Sequence, residues 1–316
     1  MDSDSAARLP NFFIAGAPNT GSTSLYFYLR QHPQVYLSPV KEPNFFGAVD
    51  LLSGRYGGGI LGGTARDRDA LRPYLEGRPP PGREPLVLEW EPYVELFRNV
   101  RSETAIGEAS VRYLMLPTAA RAIGSRIPHA RLIFVLRDPA EWLFKRYLKM
   151  PWRDPQVSFS RRFLAAMHPG DAWASAVTVG RYATHLKRFF DVFPREQMQI
   201  HLYEDYRADA RAFVRKILAF LGVDPEYPID LSSRYNAIAI PRFPRLERFR
   251  QWVPGGIPAT KWFPVGARRA LRQLYYRRRS DLVMDPADRA LVIDHYRDEI
   301  LRTSDLIGRD LSAWLR

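Results

Sequence analysis

Apolar positions along the chain gather into short runs, and the polar spacing between them alternates strand with helix. Residues 12–15 are continuously apolar and too few for a helix, which predicts a strand buried on both faces. From Ser22 onward, Leu25, Tyr26 and Leu29 recur at helical spacing. A second short strand over 35–38 stops at Pro39, and Trp90, Tyr93, Leu96, Phe97 and Val100 predict a core-packed helix over 88–100. Residues 104–110 read as a strand and loop, and 132–136, the most continuous apolar run, as a central parallel strand. Asp138 and Pro139 have the cap and first-turn chemistry of a helix start. Phe159, Phe163, Leu164 and Met167 predict a helix beside the site, as a lid or wall. A helix from Tyr182 through Leu186, Phe189 and Phe190 ends before Pro194, and a last strand occupies 198–203. Residues 208–221 form a helix that Gly222 stops. The tail over 256–316 reads as helical and basic, with Leu301, Leu306 and Trp314 as its apolar anchors.

Strands alternating with helices predict an α/β fold: a single domain over 1–316 with a short, mainly parallel sheet flanked by helices. The stretch 48–85 is rich in Gly, Pro and Arg and reads as a flexible, substrate-facing loop.

Composition narrows the function classes. Hydrophobic residues are 46% of the chain and aromatics 13%, enough for a packed core. No apolar run reaches bilayer length, and residues 1–5 lack a basic start and an apolar stretch, so neither a membrane span nor a leader is expected. Cys is absent, which excludes disulfides and thiolate chemistry and fits a reducing cytoplasm. The net charge of +13 suits an anionic ligand, and no nucleic-acid motif accompanies it. His201 lies within a strand with no second His at ligand spacing, so a core histidine is expected and no metal.

The chemistry concentrates after the first strand. Gly16-Ala-Pro-Asn-Thr-Gly21 leads into Ser22 and Thr23, a Gly-bounded loop opening a helix, where backbone amides and the helix dipole hold a phosphate or sulfate. Ser22 stands where a nucleoside-triphosphate loop carries lysine, which argues against an ATPase or GTPase. Arg137 emerges from the C-terminal end of the central strand, where open α/β sheets bind ligands.

These features resemble the sulfotransferase family. The likeness runs through 11–46, 104–147, 180–225 and more loosely 235–250. It implies binding of 3′-phosphoadenosine 5′-phosphosulfate, or its desulfated product, and sulfuryl transfer to a hydroxyl of a small molecule or carbohydrate, without a metal. Pro18, Thr20, Gly21, Ser22 and Thr23 then hold the 5′-phosphosulfate, Arg137 the 3′-phosphate, Tyr203 the adenine, and Arg242 and Arg245 sit on a basic loop over the nucleotide. Glu42 corresponds to the general base, with the surface carboxylate beside Lys41 as its bland alternative. Glu108 ends a strand as an active-site carboxylate or as a group holding a loop by its backbone amides.

The chain departs from the family pattern twice: Asn19 stands where a lysine touches the donor's bridging oxygen, and Lys145 where a serine assists the 3′-phosphate. Lys41 is then a candidate source of charge from the next loop. Two readings follow. One is a sulfotransferase; the other keeps the fold and nucleotide site but only binds, or catalyses another reaction in the same pocket.

Overall fold

A computed structural model describes residues 9–54, 56, 64–79, 84–149, 157–168, 171, 173–233, 239–241, 276–278 and 283–316. In chain order the elements are β1 (Phe12–Gly16), α1 (Ser22–Leu29), β2 (Val35–Leu37), α2 (Ala48–Leu52), β3 (Thr64–Ala65), α3 (Arg68–Leu75), β4 (Leu86–Val87) and α4 (Trp90–Glu95). Then come β5 (Ala105–Ala109), α5 (Ala119–Arg126), β6 (Arg131–Leu136), α6 (Pro139–Leu148), α7 (Phe159–Ala165), α8 (Ala174–Thr178) and α9 (Tyr182–Phe190). The rest are β7 (Met198–Leu202), α10 (Tyr203–Ala208), α11 (Ala210–Leu221), β8 (Ala239–Pro241), β9 (Tyr276–Arg278) and α12 (Pro286–Ile307).

Five strands form one sheet in the order β2-β5-β1-β6-β7, and every pairing in it is parallel. The continuous apolar runs follow from burial on both faces. Phe13 and Ala15 of β1, with Leu132, Phe134 and Leu136 of β6, enter the core shared with α5, α6, α9 and α12. Their neighbours Phe12, Ile14, Ile133 and Val135 point the other way, into a core closed by α1 and α11. The two-residue period of a strand therefore supplies two cores at once.

β1 lies between β5 and β6, so chain connections leave it in both directions and open a crevice at its C-terminal end. The β1–β6 register slips between Ile14, opposite Ile133, and Gly16, opposite Phe134. That extra residue turns the chain out of the sheet just before the loop.

The strands over 12–15, 35–38, 104–110, 132–136 and 198–203 and the helices after Ser22, Asp138 and Gly180 stand where their patterns placed them. Gly222 closes α11 at φ 76°, a left-handed stop that a side chain disfavours. Three expectations are corrected. The stretch 48–85 is not simply loop: it contains α2, α3 and β3, which pairs in parallel with β4 just beyond it, and the Asp67 carboxylate caps α3 by accepting from the Ala70 amide. The helix over 88–100 shrinks to α4, because the amides of Leu96 and Phe97 bond three residues back and tighten the chain into turns. Leu301 is 47% exposed and anchors nothing, whereas Val292, Ile293, Tyr296 and Ile300 carry the buried stripe of α12.

His201 is a buried histidine on β7, its Nε2 bonded to Gln199 Oε1, and burial lowers its pKa to about 4. Among the described residues no helix is long and apolar enough to cross a membrane, and no cluster of metal-binding side chains occurs.

Candidate active site

The loop from Ala17 to Gly21 starts at the crevice. Its Thr20 Oγ1 donates to the Ala17 carbonyl at 2.7 Å, closing the turn on itself. Asn19 sits at φ 59° and Gly21 at φ 91°, left-handed positions that suit asparagine and glycine. Gly21 brings no side-chain oxygen to cap α1, so the first-turn amides and the positive end of the helix dipole serve the loop. Thr20 and Ser22 are buried, Pro18 and Thr23 partly so, and Asn19 is exposed.

From β6 comes Arg137, nearly buried, its guanidinium 4.2 Å from the centroid of the Tyr203 ring. The same Tyr203 ring borders Gly21, where an added Cβ would stand 3.5 Å from Cε2. Arg137 Nη1 reaches the Asn19 carbonyl at 3.5 Å, and Trp142 Nε1 donates to the Pro18 carbonyl. Loop, arginine and tyrosine, separated widely in sequence, thus form one cluster at the C-terminal edge of the sheet.

Arg137 is not alone there. Its Nε donates to Glu141 Oε2 at 3.1 Å. Nη2 lies 2.8 Å from Oε1, an ion-pair distance, and makes no hydrogen bond of its own. Lys145 Nζ meets the same Oε1 at 2.6 Å. Burial raises the Glu141 pKa, but hydrogen bonds and charge from Arg137 and then Lys145 outweigh it and hold the carboxyl at about 2. Glu141 escaped the sequence reading, although Arg137, Glu141, Lys145 and Lys149 recur every fourth residue, the spacing of one helix face.

Across the crevice, the amide of Glu42 donates to the Ala109 carbonyl at the end of β5, fixing the turn that carries it. Glu42 Oε1 pairs with Lys41 Nζ at 2.8 Å and Oε2 accepts from the Val111 amide at 3.1 Å. Lys41 is thereby paired with Glu42. Glu42 and Asn44 both hold positive φ, so the turn is strained and needs outside support.

Glu108 provides that support. It is fully buried and accepts from the hydroxyls of Tyr113 at 2.7 Å, Ser110 at 2.8 Å and Tyr93 at 3.2 Å. Ser110 Oγ in turn accepts the Asn44 amide at 3.0 Å. The expectation that Glu108 bonds backbone amides is corrected: its partners are hydroxyls, since β5 spends its amides on neighbouring strands. Burial, opposed by those hydroxyls, raises its pKa to about 7. Glu84 joins this side unforeseen, pushed up to about 7 by burial against the pull of Lys41. Arg242 and Arg245 lie outside the described residues.

Comparisons with known proteins point to one family. A family model described as the sulfotransferase family matches residues 10–227. The bifunctional heparan sulfate N-deacetylase/N-sulfotransferase 4 of Mus musculus is 24% identical over 323 aligned positions, covering 98% of this chain and 31% of that protein. Human carbohydrate sulfotransferase 15 is 23% identical and covers 73% of this chain and 46% of its own length. The chain therefore spans less than half the length of either relative. A crystal structure of a sulfotransferase from Alicyclobacillus acidocaldarius superposes with a TM-score of 0.64 at 27% identity, covering 98% of this chain and 100% of that one. With the phosphate-type loop after β1, Arg137 after β6 and a family match across most of its length, the chain belongs to the sulfotransferase family.

Proposed function

We propose that this protein moves a sulfuryl group from 3′-phosphoadenosine 5′-phosphosulfate to a hydroxyl of a carbohydrate or small molecule. The observation that carries the reading is the contact of Arg137 with the loop: one guanidinium touches Asn19 and stacks on Tyr203. A nucleotide lying there puts its 5′-phosphosulfate on the amides of Gly21, Ser22 and Thr23 and its 3′-phosphate beside Arg137, which shares its fork with Glu141. Lys145, on the same carboxylate, lends a second positive charge. Glu42 takes the acceptor proton, while Glu108 holds the Glu42 turn in place. The chemistry depends on positioning and charge stabilisation. The names of the relatives favour a carbohydrate acceptor.

The absence of lysine at Asn19 favours a second reading, nucleotide binding without transfer. Calorimetry with adenosine 3′,5′-bisphosphate, followed by transfer assays on a panel of hydroxylated acceptors, separates the two. Arg137→Ala should weaken binding by about 1.5–3 kcal/mol, the range for hydrogen bonds to charged groups. Equal affinity of both proteins for this nucleotide and for adenosine 5′-monophosphate would refute the donor assignment. Binding without turnover on any acceptor would select the second reading.

A further inference from the structure

We propose that Lys149 is the cation of the phosphosulfate loop, delivered from the end of α6 in place of the lysine that the loop lacks. This rests on the sulfotransferase reading and adds a residue to it. Lys149 Nζ stands 3.5 Å from Asn19 Oδ1, so the side chain reaches from the C-cap of α6 to the position where the family's lysine would begin. Arg137 Nη1 approaches the backbone carbonyl of that same asparagine, also at 3.5 Å. Asn19 is exposed and in the left-handed region, and its side-chain oxygen meets the ammonium.

The surroundings of Lys149 set it apart from the other lysines here. Lys41 is bound by Glu42 and Lys145 by Glu141. The charges that bear on Lys149 are Arg137, Arg146 and Lys145, all of its own sign. Among the described residues, this half-buried ammonium touches a neutral amide oxygen and forms no ion pair that would balance it. Burial and those charges lower its pKa, a cost that the C-terminal dipole of α6 only partly offsets. A 5′-phosphosulfate on the adjoining amides supplies the missing negative charge.

The step balances without further reactants. The acceptor oxygen attacks sulfur, a new S–O bond forms, and the bond from sulfur to the bridging oxygen breaks. The acceptor proton passes to Glu42. The former bridging oxygen keeps the bonding pair and becomes a 5′-phosphate oxygen, whose added negative charge Lys149 stabilises. The ammonium therefore acts more strongly in the transition state than in the bound donor.

The test measures affinities of wild type, Lys149→Met and Lys149→Gln for adenosine 3′,5′-bisphosphate and for adenosine 3′-monophosphate, together with sulfate transfer. Lys149→Met should weaken the bisphosphate about ten-fold or more while leaving the 3′-monophosphate unchanged. Turnover should fall about 10²–10³-fold, as on loss of one oxyanion donor. Lys149→Gln, which keeps length and polarity, should behave alike, and Asn19→Lys added to Lys149→Met should restore bisphosphate affinity and part of the rate. If wild type binds the bisphosphate but both variants keep the wild-type preference for it over the 3′-monophosphate, Lys149 does not face the 5′-phosphate and the proposal falls while the function stands. If wild type binds neither nucleotide, the function itself falls and takes this role with it.

Discussion

Glu108→Gln exposes a pH dependence built into the support of the Glu42 turn. The carboxyl of Glu108 titrates normally in the unfolded chain, near 4.5, and at about 7 in the folded one, chiefly because burial disfavours its charge. The folded state thus holds the proton more tightly, and its stability contribution is complete below pH 4.5 and lost as pH rises to 7. A rise from 4.5 to about 7, at about 1.4 kcal/mol for each pKa unit, makes that loss about 3 kcal/mol. Glutamine is neutral in both states and carries no such slope. The Tyr93 and Tyr113 hydroxyls, themselves pushed well above their ordinary pKa by burial, stay protonated and keep donating to the glutamine carbonyl. The amide end meets Ser110, whose hydroxyl already accepts from Asn44 and must rotate, costing about 1 kcal/mol at every pH. Urea unfolding at pH 5 and pH 8 should then show the variant gaining about 2.5 kcal/mol on wild type between the two. Parallel pH profiles would refute the reasoning and show that three donated hydroxyls outweigh burial, leaving Glu108 ionised throughout.

Three further outcomes follow from the site. Glu42→Gln should cut turnover about 10²–10⁴-fold with nucleotide affinity nearly unchanged, because the glutamine oxygen still accepts from Val111; unaltered turnover in steady-state assays would return Glu42 to a structural role. Glu141→Gln should destabilise the protein at neutral pH by about 1–2 kcal/mol, discounted for partial exposure, a penalty that vanishes as pH falls through 4.5 towards 2, where the wild-type carboxyl protonates. Unfolding midpoints across that acid range check it. Arg289→Ala should lower stability by about 1.5–3 kcal/mol through loss of its 2.7 Å bond to Asp138, read as a lower melting temperature.

The sheet was legible because each strand is buried on both faces and so announces itself as an unbroken apolar run, as at residues 132–136. The loop was legible because a left-handed turn before a helix demands Gly21 and tolerates Asn19. Local rules read less well where tertiary contacts decide. Apolar spacing across 88–100 looked like one helix, yet Leu86 and Val87 pair as a strand and the end of α4 winds tight. Gly-rich composition hid α3, whose Asp67 cap was a usable signal. Glu141 and Lys149 could have been found from their four-residue spacing after Arg137. What no spacing reveals is that the fourth position of that stripe reaches Asn19, since that depends on how α6 leans over the loop.

The last helix and the residues just after it reach back to the start of the site. Arg289 bonds the Asp138 oxygen opposite the one that caps α6, and Arg309 grips Asp205 of α10 through two bonds, at 3.0 and 3.2 Å. Those two helices begin directly after Arg137 and at Tyr203. The angle between the guanidinium and the tyrosine ring is therefore set from residues 285 to 310. A purification tag that pulls on that end, or a clipped preparation missing it, will behave in an assay like a binding-site mutant, and loss of activity there will be misread as chemistry unless nucleotide affinity is measured alongside.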